Sequence, residues 1–176
     1  MGVRRSTSPA STGPSARSVV ASRPWRRWIL RAGLALLVVF GLIQLIPFGR
    51  AGNPPVTRAA VWPLGAGQAL AEGACFDCHS NLTKRWWATK VAPVSWLAQN
   101  DVSGGRDHLN FSRWDTPQPD LDQVIEAVRS GSMPPLQYKL VHGNARLGAA
   151  ERAQLADALT RLYASDPPAG VRSGGG

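Results

Sequence analysis

The sequence predicts a small all-α domain that follows a single N-terminal apolar helix, and three observations predict this. Apolar residues recur at helical spacing in the C-terminal half, as at Leu121, Val124, Ile125 and Val128. No segment alternates apolar and polar residues over the length of a strand. An apolar run with few interruptions extends over residues 29–48 and has the length of a helix that approaches the thickness of a membrane.

Charge is distributed unevenly along the 176 residues, which together carry a net charge of +9. Residues 1–71 hold nine arginines and no acidic residue, whereas residues 72–176 hold eleven basic and eleven acidic residues. A nucleic-acid-binding domain would carry its basic charge on the folded part, so we expect no nucleic-acid partner. Arginines beside an apolar run favour a membrane surface instead, and membrane lipid is therefore an expected partner.

The N-terminal part divides into two predicted segments. Residues 1–22 are rich in Ser, Pro and Arg and predict a disordered basic tail, because they offer little apolar surface to bury. Residues 23–50 predict either a transmembrane anchor or a signal segment that is cleaved near residues 49–51. The run is longer than the apolar core of a usual signal peptide, which favours the anchor. Either interpretation places the following domain on the periplasmic side of a bacterial cytoplasmic membrane.

The remaining chain is predicted to comprise a Pro-rich linker at residues 51–63, a folded domain at residues 64–165 and a flexible tail at residues 166–176. Within the domain we expect four helices. They are predicted at residues 66–80, at 93–102, between Pro119 and Gly131, and around Leu155, Leu159 and Leu162. Four short helices form a thin core, so the domain is expected to need an added organising element.

A five-residue motif predicts that this organising element is a bound cofactor. Cys75-Phe76-Asp77-Cys78-His79 has the C-x-x-C-H pattern of covalent haem attachment. Two thiols at this spacing can form thioethers with the two vinyl groups of one porphyrin, and the histidine that follows is held over the iron as an axial ligand. The predicted cofactor is therefore one covalently bound haem c, attached through Cys75 and Cys78 and ligated by His79.

Two other interpretations of the cysteine pair, a redox-active disulfide and a zinc site, fit the sequence less well. A redox-active disulfide usually lies in a thioredoxin-like βαβ context, which this sequence does not predict. A structural zinc site needs four ligands, and the chain contains no other cysteine. Both interpretations are less consistent with the sequence than haem attachment on the exported side of a membrane.

The second axial ligand has several candidates. Met133 lies in a loop followed by two prolines and is the only methionine besides the initiator, so it is the favoured sixth ligand. Its thioether would raise the haem potential, which suits electron transfer. His108 is the alternative and would give bis-histidine ligation at a lower potential. His142, in a predicted surface turn, and an open iron site also remain possible.

Other residues are predicted to surround the haem. Aromatic residues between the two ligand regions are expected to wall the ring or to belong to an ordinary core. These aromatic residues are Trp86, Trp87, Trp96, Phe111 and Trp114. The candidate hydrogen-bond donors for the haem propionates are Arg113, Trp87, Tyr138 and Lys139.

Over residues 40–163 the chain resembles the membrane-anchored haem-binding domain family of bacteria, which is similar to monohaem c-type cytochromes. The resemblance rests on ordered blocks at residues 44–47, 53–56, 75–81, 92–97, 108–112, 131–135 and 142–147. It implies a small cytochrome c-like helical domain around one haem. It also implies that Cys75 and Cys78 attach the haem, that His79 ligates the iron, and that Met133 corresponds to the family's Met-Pro block. The resemblance names no redox partner.

The leading hypothesis is an electron carrier in which haem cycles between two iron oxidation states, so no catalytic residue is predicted. A second hypothesis is a haem peroxidase or ligand sensor with an open iron site, in which His108 acts as a distal acid or base. A third is a structural subunit that uses haem to hold its fold together.

Overall fold

The computed structural model describes residue 2 and residues 24–49 and 52–170. Almost all of the predicted basic tail, the predicted cleavage site and the last six residues of the predicted C-terminal tail lie outside this part of the chain. The described residues belong to two compact units, which divide between Val39 and Phe40.

The first helix, α1, spans Pro24–Ile43 and covers most of the segment predicted as an anchor or signal. Its tryptophans Trp25 and Trp28 and nearly all of its large aliphatic side chains are exposed. Within the described ranges, no helix combines the length and the apolar character needed to cross a membrane, so the predicted transmembrane helix is not found.

The second unit is helical, which confirms the predicted all-α class. Its α-helices are α2 (Gly67–Ala74), α3 (Phe76–His79), α4 (Val94–His108), α5 (Leu121–Arg129), α6 (Leu136–Val141) and α7 (Ala149–Ser165). Two short 3₁₀ helices span Trp87–Lys90 and Gly143–Ala145. The part of the chain that the structure describes contains no β-strand, only an isolated parallel bridge between Arg58 and Arg113.

The helix boundaries differ from those predicted at three places. The helix expected over residues 66–80 is interrupted at Cys75, whose φ of −121° departs from helical geometry, and so becomes α2 and α3. The helix expected to end at residue 102 continues to His108, through Gly104 and Gly105. Helix α6 was not predicted, because its six residues are too few to show a helical period.

The core forms where α7 packs against α2 and α5. The three leucines predicted on the last helix, Leu155, Leu159 and Leu162, are almost completely buried. Trp114 is also fully buried, and its ring contacts those of Phe111 and Tyr163. Three residues of this core, Phe111, Val128 and Leu159, also line a cavity.

Residues 52–61 are extended and run along the loop at residues 111–114. The backbone N–H groups of Thr57 and Ala60 donate to the carbonyls of Ser112 and Phe111, at 3.1 and 2.8 Å. Trp114 N–H donates to the carbonyl of Arg58, and the Arg58 guanidinium pairs with the Asp166 carboxylate. The segment predicted as a linker is thus hydrogen-bonded to the domain along its length.

Candidate functional site

The turn between α2 and α3 presents the two cysteines. Cys75 ends α2, where its N–H donates to the Ala71 carbonyl at 2.7 Å. Its own carbonyl accepts the N–H groups of both Cys78 and His79, at 3.2 and 2.8 Å. This single helical turn holds the three chemically important residues of the motif together, and neither thiol is in a disulfide.

The imidazole of His79 is fixed by the backbone of α4 and the residue that follows it. Its Nδ1 lies 2.9 Å from the Gly105 carbonyl oxygen and 3.1 Å from that of Leu109. A carbonyl oxygen can only accept, so Nδ1 carries the proton and donates. Burial lowers the pKa of His79, which favours the neutral ring. In that ring the lone pair available to a metal is on Nε2, as is usual for a metal-bound histidine whose other nitrogen is held by a carbonyl.

Met133 is placed by the end of α5. Gly131 adopts a φ of +73°, which reverses the chain after the helix and suits a residue without a side chain. The Met133 N–H then donates to the Ala127 carbonyl at 3.0 Å, which fixes the loop against the last turn of α5. The Met133 side chain is 44% exposed, so no tight core packing holds it as filler.

These residues meet around one cavity of about 440 Å³. Cys75, Cys78, His79, His108 and Met133 all line it, so both candidates for the sixth ligand face the same space as the motif. Apolar side chains form most of the remaining wall. They include Leu109, Phe111, Val124, Ala127, Val128 and Leu159.

The residues present fit a haem. The cavity volume lies within the roughly 300–1,000 Å³ usual for cofactor and ligand sites. Its walls are apolar, two thiols lie at one edge, and the His79 ring has a nitrogen free for iron. In the described part of the chain, no cluster of three or more His, Cys, Asp or Glu residues could hold a bare metal ion.

The thiol electrostatics do not favour redox-active cysteines. Burial raises the pKa of Cys75 to about 12, and the neighbouring Cys78 adds to the shift. Burial also raises the pKa of Cys78 to about 11, with further contributions from Asp101 and Asp77. Reactive cysteines instead have lowered pKa values, which give them thiolate character near neutral pH.

Asp77, within the motif, ties α3 to α6. Its Oδ2 accepts the Tyr138 hydroxyl at 2.9 Å, and its Oδ1 accepts the Lys84 N–H at 2.9 Å. Burial raises the pKa of Tyr138, and the Asp77 charge and hydrogen bond raise it further, so the phenol stays protonated and keeps donating. Tyr138 also lines the cavity, so it links the turn at Cys75–His79 to the wall formed by α6.

Several residues predicted to surround the haem lie elsewhere. Of the five aromatic residues expected to wall the ring, Phe111 alone lines the cavity. Trp114 is instead in the core, because its ring packs between Phe111 and Tyr163. Of the proposed propionate donors, Tyr138 alone lines the cavity, and the Lys139 ammonium donates to the Gly131 carbonyl.

His142 is also outside the lining of this cavity. Its ring stacks on that of Tyr138, with 3.9 Å between centroids.

Sequence reasoning missed the contribution of Gly105. A Cβ atom at this position would lie 2.5 Å from the Cys78 carbonyl oxygen and 2.9 Å from the Cys78 Cβ. Only glycine therefore allows α4 to approach the turn at Cys75–His79 this closely, and the same residue supplies a carbonyl to His79. The signal in the sequence is the Gly104-Gly105 pair, which lies beyond the helix predicted to end at residue 102 and was given no role.

An all-helical unit with an apolar cavity, and a C-x-x-C-H turn at the edge of that cavity, defines a protein that holds a flat prosthetic group. The model of the haem-binding domain family matches residues 38–161, which is more than half of the chain. The chain therefore belongs to this family, as the resemblance predicted, and is a haem-binding protein. No curated protein and no solved structure matches the chain significantly.

Proposed function

We propose that the chain attaches one haem covalently, as haem c, and carries single electrons outside the cytosol. In this proposal Cys75 and Cys78 form the thioethers, and His79 and Met133 are the axial ligands. The bound haem would supply a one-electron couple between ferrous and ferric iron.

The observation that carries the proposal is the state of the His79 ring. Two backbone carbonyls hold its Nδ1 proton, at 2.9 and 3.1 Å. The orientation of the ring and its tautomer are therefore set by the fold before any iron binds. A histidine used only for packing would not need two hydrogen-bond acceptors on one nitrogen. It would also have no reason to share a cavity with two thiols and a methionine.

The cavity wall supports a carrier because most of it offers no group for acid or base chemistry. Val124, Val128 and Phe111 give the cavity that His79 lines an apolar surface. A low-dielectric wall and a thioether ligand both favour the reduced form, which carries less charge. The residues that hold the cofactor are thus the ones that would adjust its potential.

The covalent linkage is tested by staining for haem on a denaturing gel and by the intact mass of protein from the native host. We expect the mass of one haem on the wild-type chain and none on a Cys75→Ala, Cys78→Ala double variant. A Cys-to-Ala double variant that retains the added mass would refute covalent attachment. Protease accessibility of the stained protein in spheroplasts tests its position outside the cytosol.

The role of Met133 is tested with Met133→Ala and Met133→His variants. We expect the alanine variant to keep its covalent haem but to lose the red charge-transfer band of thioether-ligated ferric haem, with a lower midpoint potential. The histidine variant should restore a six-coordinate, low-spin spectrum. An unchanged band and potential in Met133→Ala would exclude Met133 as the ligand.

A second candidate function rests on His108, which is exposed and lines the same cavity as His79. If the iron kept an open position, His108 could act as an acid or base toward bound peroxide. Ready binding of carbon monoxide by the reduced protein, and peroxide turnover lost in His108→Ala, would favour this function over electron transfer.

A further inference from the structure

A second cavity lies next to the first, between α4, α6 and residues 83–89. Its volume is about 210 Å³, and apolar side chains such as Val94, Leu97 and Val141 form much of its wall. Cys75, His79 and Met133 do not line it, so it adjoins the candidate haem site without including the proposed iron ligands. Cys78 and Tyr138 line both cavities and form part of the wall between them.

His142 gives this second cavity a hydrogen-bond acceptor. Its Nδ1 lies 3.2 Å from the Tyr138 carbonyl oxygen, so this nitrogen carries the proton and donates. The other ring nitrogen, Nε2, lies 3.9 Å from Asp77 Oδ2, which is beyond hydrogen-bond distance. With the proton on Nδ1, the lone pair of the ring is on Nε2, and the His142 side chain lines the cavity.

The charges around the cavity balance. Asp77 and Asp101 contribute two carboxylates to the lining, and Lys84 and Arg85 contribute two cations. The Arg85 guanidinium is already engaged by the carbonyl of Gly49 and the side-chain oxygen of Gln99. An anionic ligand would thus meet two carboxylates, and a cationic ligand would meet two cations. A neutral ligand therefore fits best.

We propose that this second cavity binds a neutral single-ring phenol, whose hydroxyl donates to His142 Nε2. An apolar cavity of about 150 Å³ is known to hold benzene, so about 210 Å³ suits one ring with small substituents. The aliphatic wall covers the ring, and the acceptor selects a hydroxyl over a plain hydrocarbon. The proposal does not depend on electron transfer, because it concerns binding alone.

The test uses the haem-loaded protein and two probes, p-cresol and its methyl ether. Both have the same ring, but the ether cannot donate a hydrogen bond. Calorimetry measures each affinity in the wild type and in His142→Phe, which keeps an aromatic ring on Tyr138 and removes both nitrogens. We expect p-cresol to bind the wild type about five- to tenfold more tightly than the ether, and this preference to disappear in His142→Phe.

A second pair of variants tests the location. Leu97→Trp places a larger ring in the cavity and should abolish saturable binding of p-cresol. Leu140→Trp makes the same change at an exposed leucine on α6 that lines neither cavity, and should leave the affinity within twofold of wild type. Haem stain and melting temperature confirm that both variants fold.

The proposal is overturned if p-cresol shows no saturable binding, or if Leu97→Trp binds it as well as Leu140→Trp does. It is also overturned if the preference for cresol over its ether is the same in the wild type and in His142→Phe. A reversible one-electron titration of the same protein checks electron transfer separately, so failure of one proposal is distinguishable from failure of the other.

Discussion

Replacing Gly105 by alanine would disturb a close contact between α4 and the turn at Cys75–His79. The new Cβ would lie 2.5 Å from the Cys78 carbonyl oxygen, whereas ordinary contacts of carbon are about 3.5–4.0 Å. Helix α4 must therefore move by about 1 Å. That movement stretches the 2.9 Å hydrogen bond between His79 Nδ1 and the Gly105 carbonyl, which loosens the ring proposed to ligate iron.

The expected cost combines three contributions. Overpacking costs about 1–3 kcal/mol, and loss of the hydrogen bond costs about 0.5–1.5 kcal/mol. In the opposite direction, alanine in place of glycine stabilises a helix by about 0.5–1 kcal/mol. We therefore expect Gly105→Ala to lower the free energy of unfolding by about 0.5–4 kcal/mol and to reduce the yield of covalent haem.

Gly73→Ala is the matched control, because its Cβ would make only an ordinary contact, 3.4 Å from the Cβ of Asn144. This variant should be as stable as the wild type or slightly more stable. At about 4 °C per kcal/mol for a domain of this size, the two variants should differ in melting temperature by about 2–20 °C. Equal melting temperatures and equal haem stain would refute the proposed close contact.

Three further variants test the packing around the site. Trp114→Ala removes a fully buried ring and should cost about 3–5 kcal/mol in denaturant unfolding; a loss below about 1 kcal/mol would contradict its place in the core. Asn81→Ala leaves the Pro55 carbonyl and the Asn110 amide without their partner and should cost about 1–3 kcal/mol, detected as a lower denaturation midpoint. Burial, and secondarily Asp120, raises the pKa of Tyr163 to about 12, so the folded state holds that proton more tightly than the unfolded chain. Stability should therefore fall as the pH rises from about 10 to about 12, and Tyr163→Phe should reduce this slope; an unchanged slope would argue against the shift.

The sequence predicted the elements whose signal is local. The spacing of Leu155, Leu159 and Leu162 correctly indicated a buried helix face, and the cysteine spacing indicated the cofactor. The position of Trp114 was not predictable. A loop has no helical or strand periodicity, so its sequence does not show whether an aromatic side chain faces the core or the cavity. His142 was weighed as an iron ligand since sequence separation does not show which of two adjacent cavities a side chain lines. The predicted end of α4 at residue 102 was wrong. The helix continues through Gly105, which contacts Cys78, and a contact between residues 27 positions apart leaves no local pattern in the sequence.

The pairing of residues 58–61 with Asp166 affects the order in which the domain is completed during synthesis. Arg58 and the Val61 N–H both bind the Asp166 carboxylate, and Trp114 Nε1 donates to the Asp166 carbonyl. These contacts, at the beginning and the end of the domain, form only after the whole domain has emerged. Because the Cys75–His79 segment is synthesised earlier, its two thiols leave the ribosome before these end-to-end contacts can form.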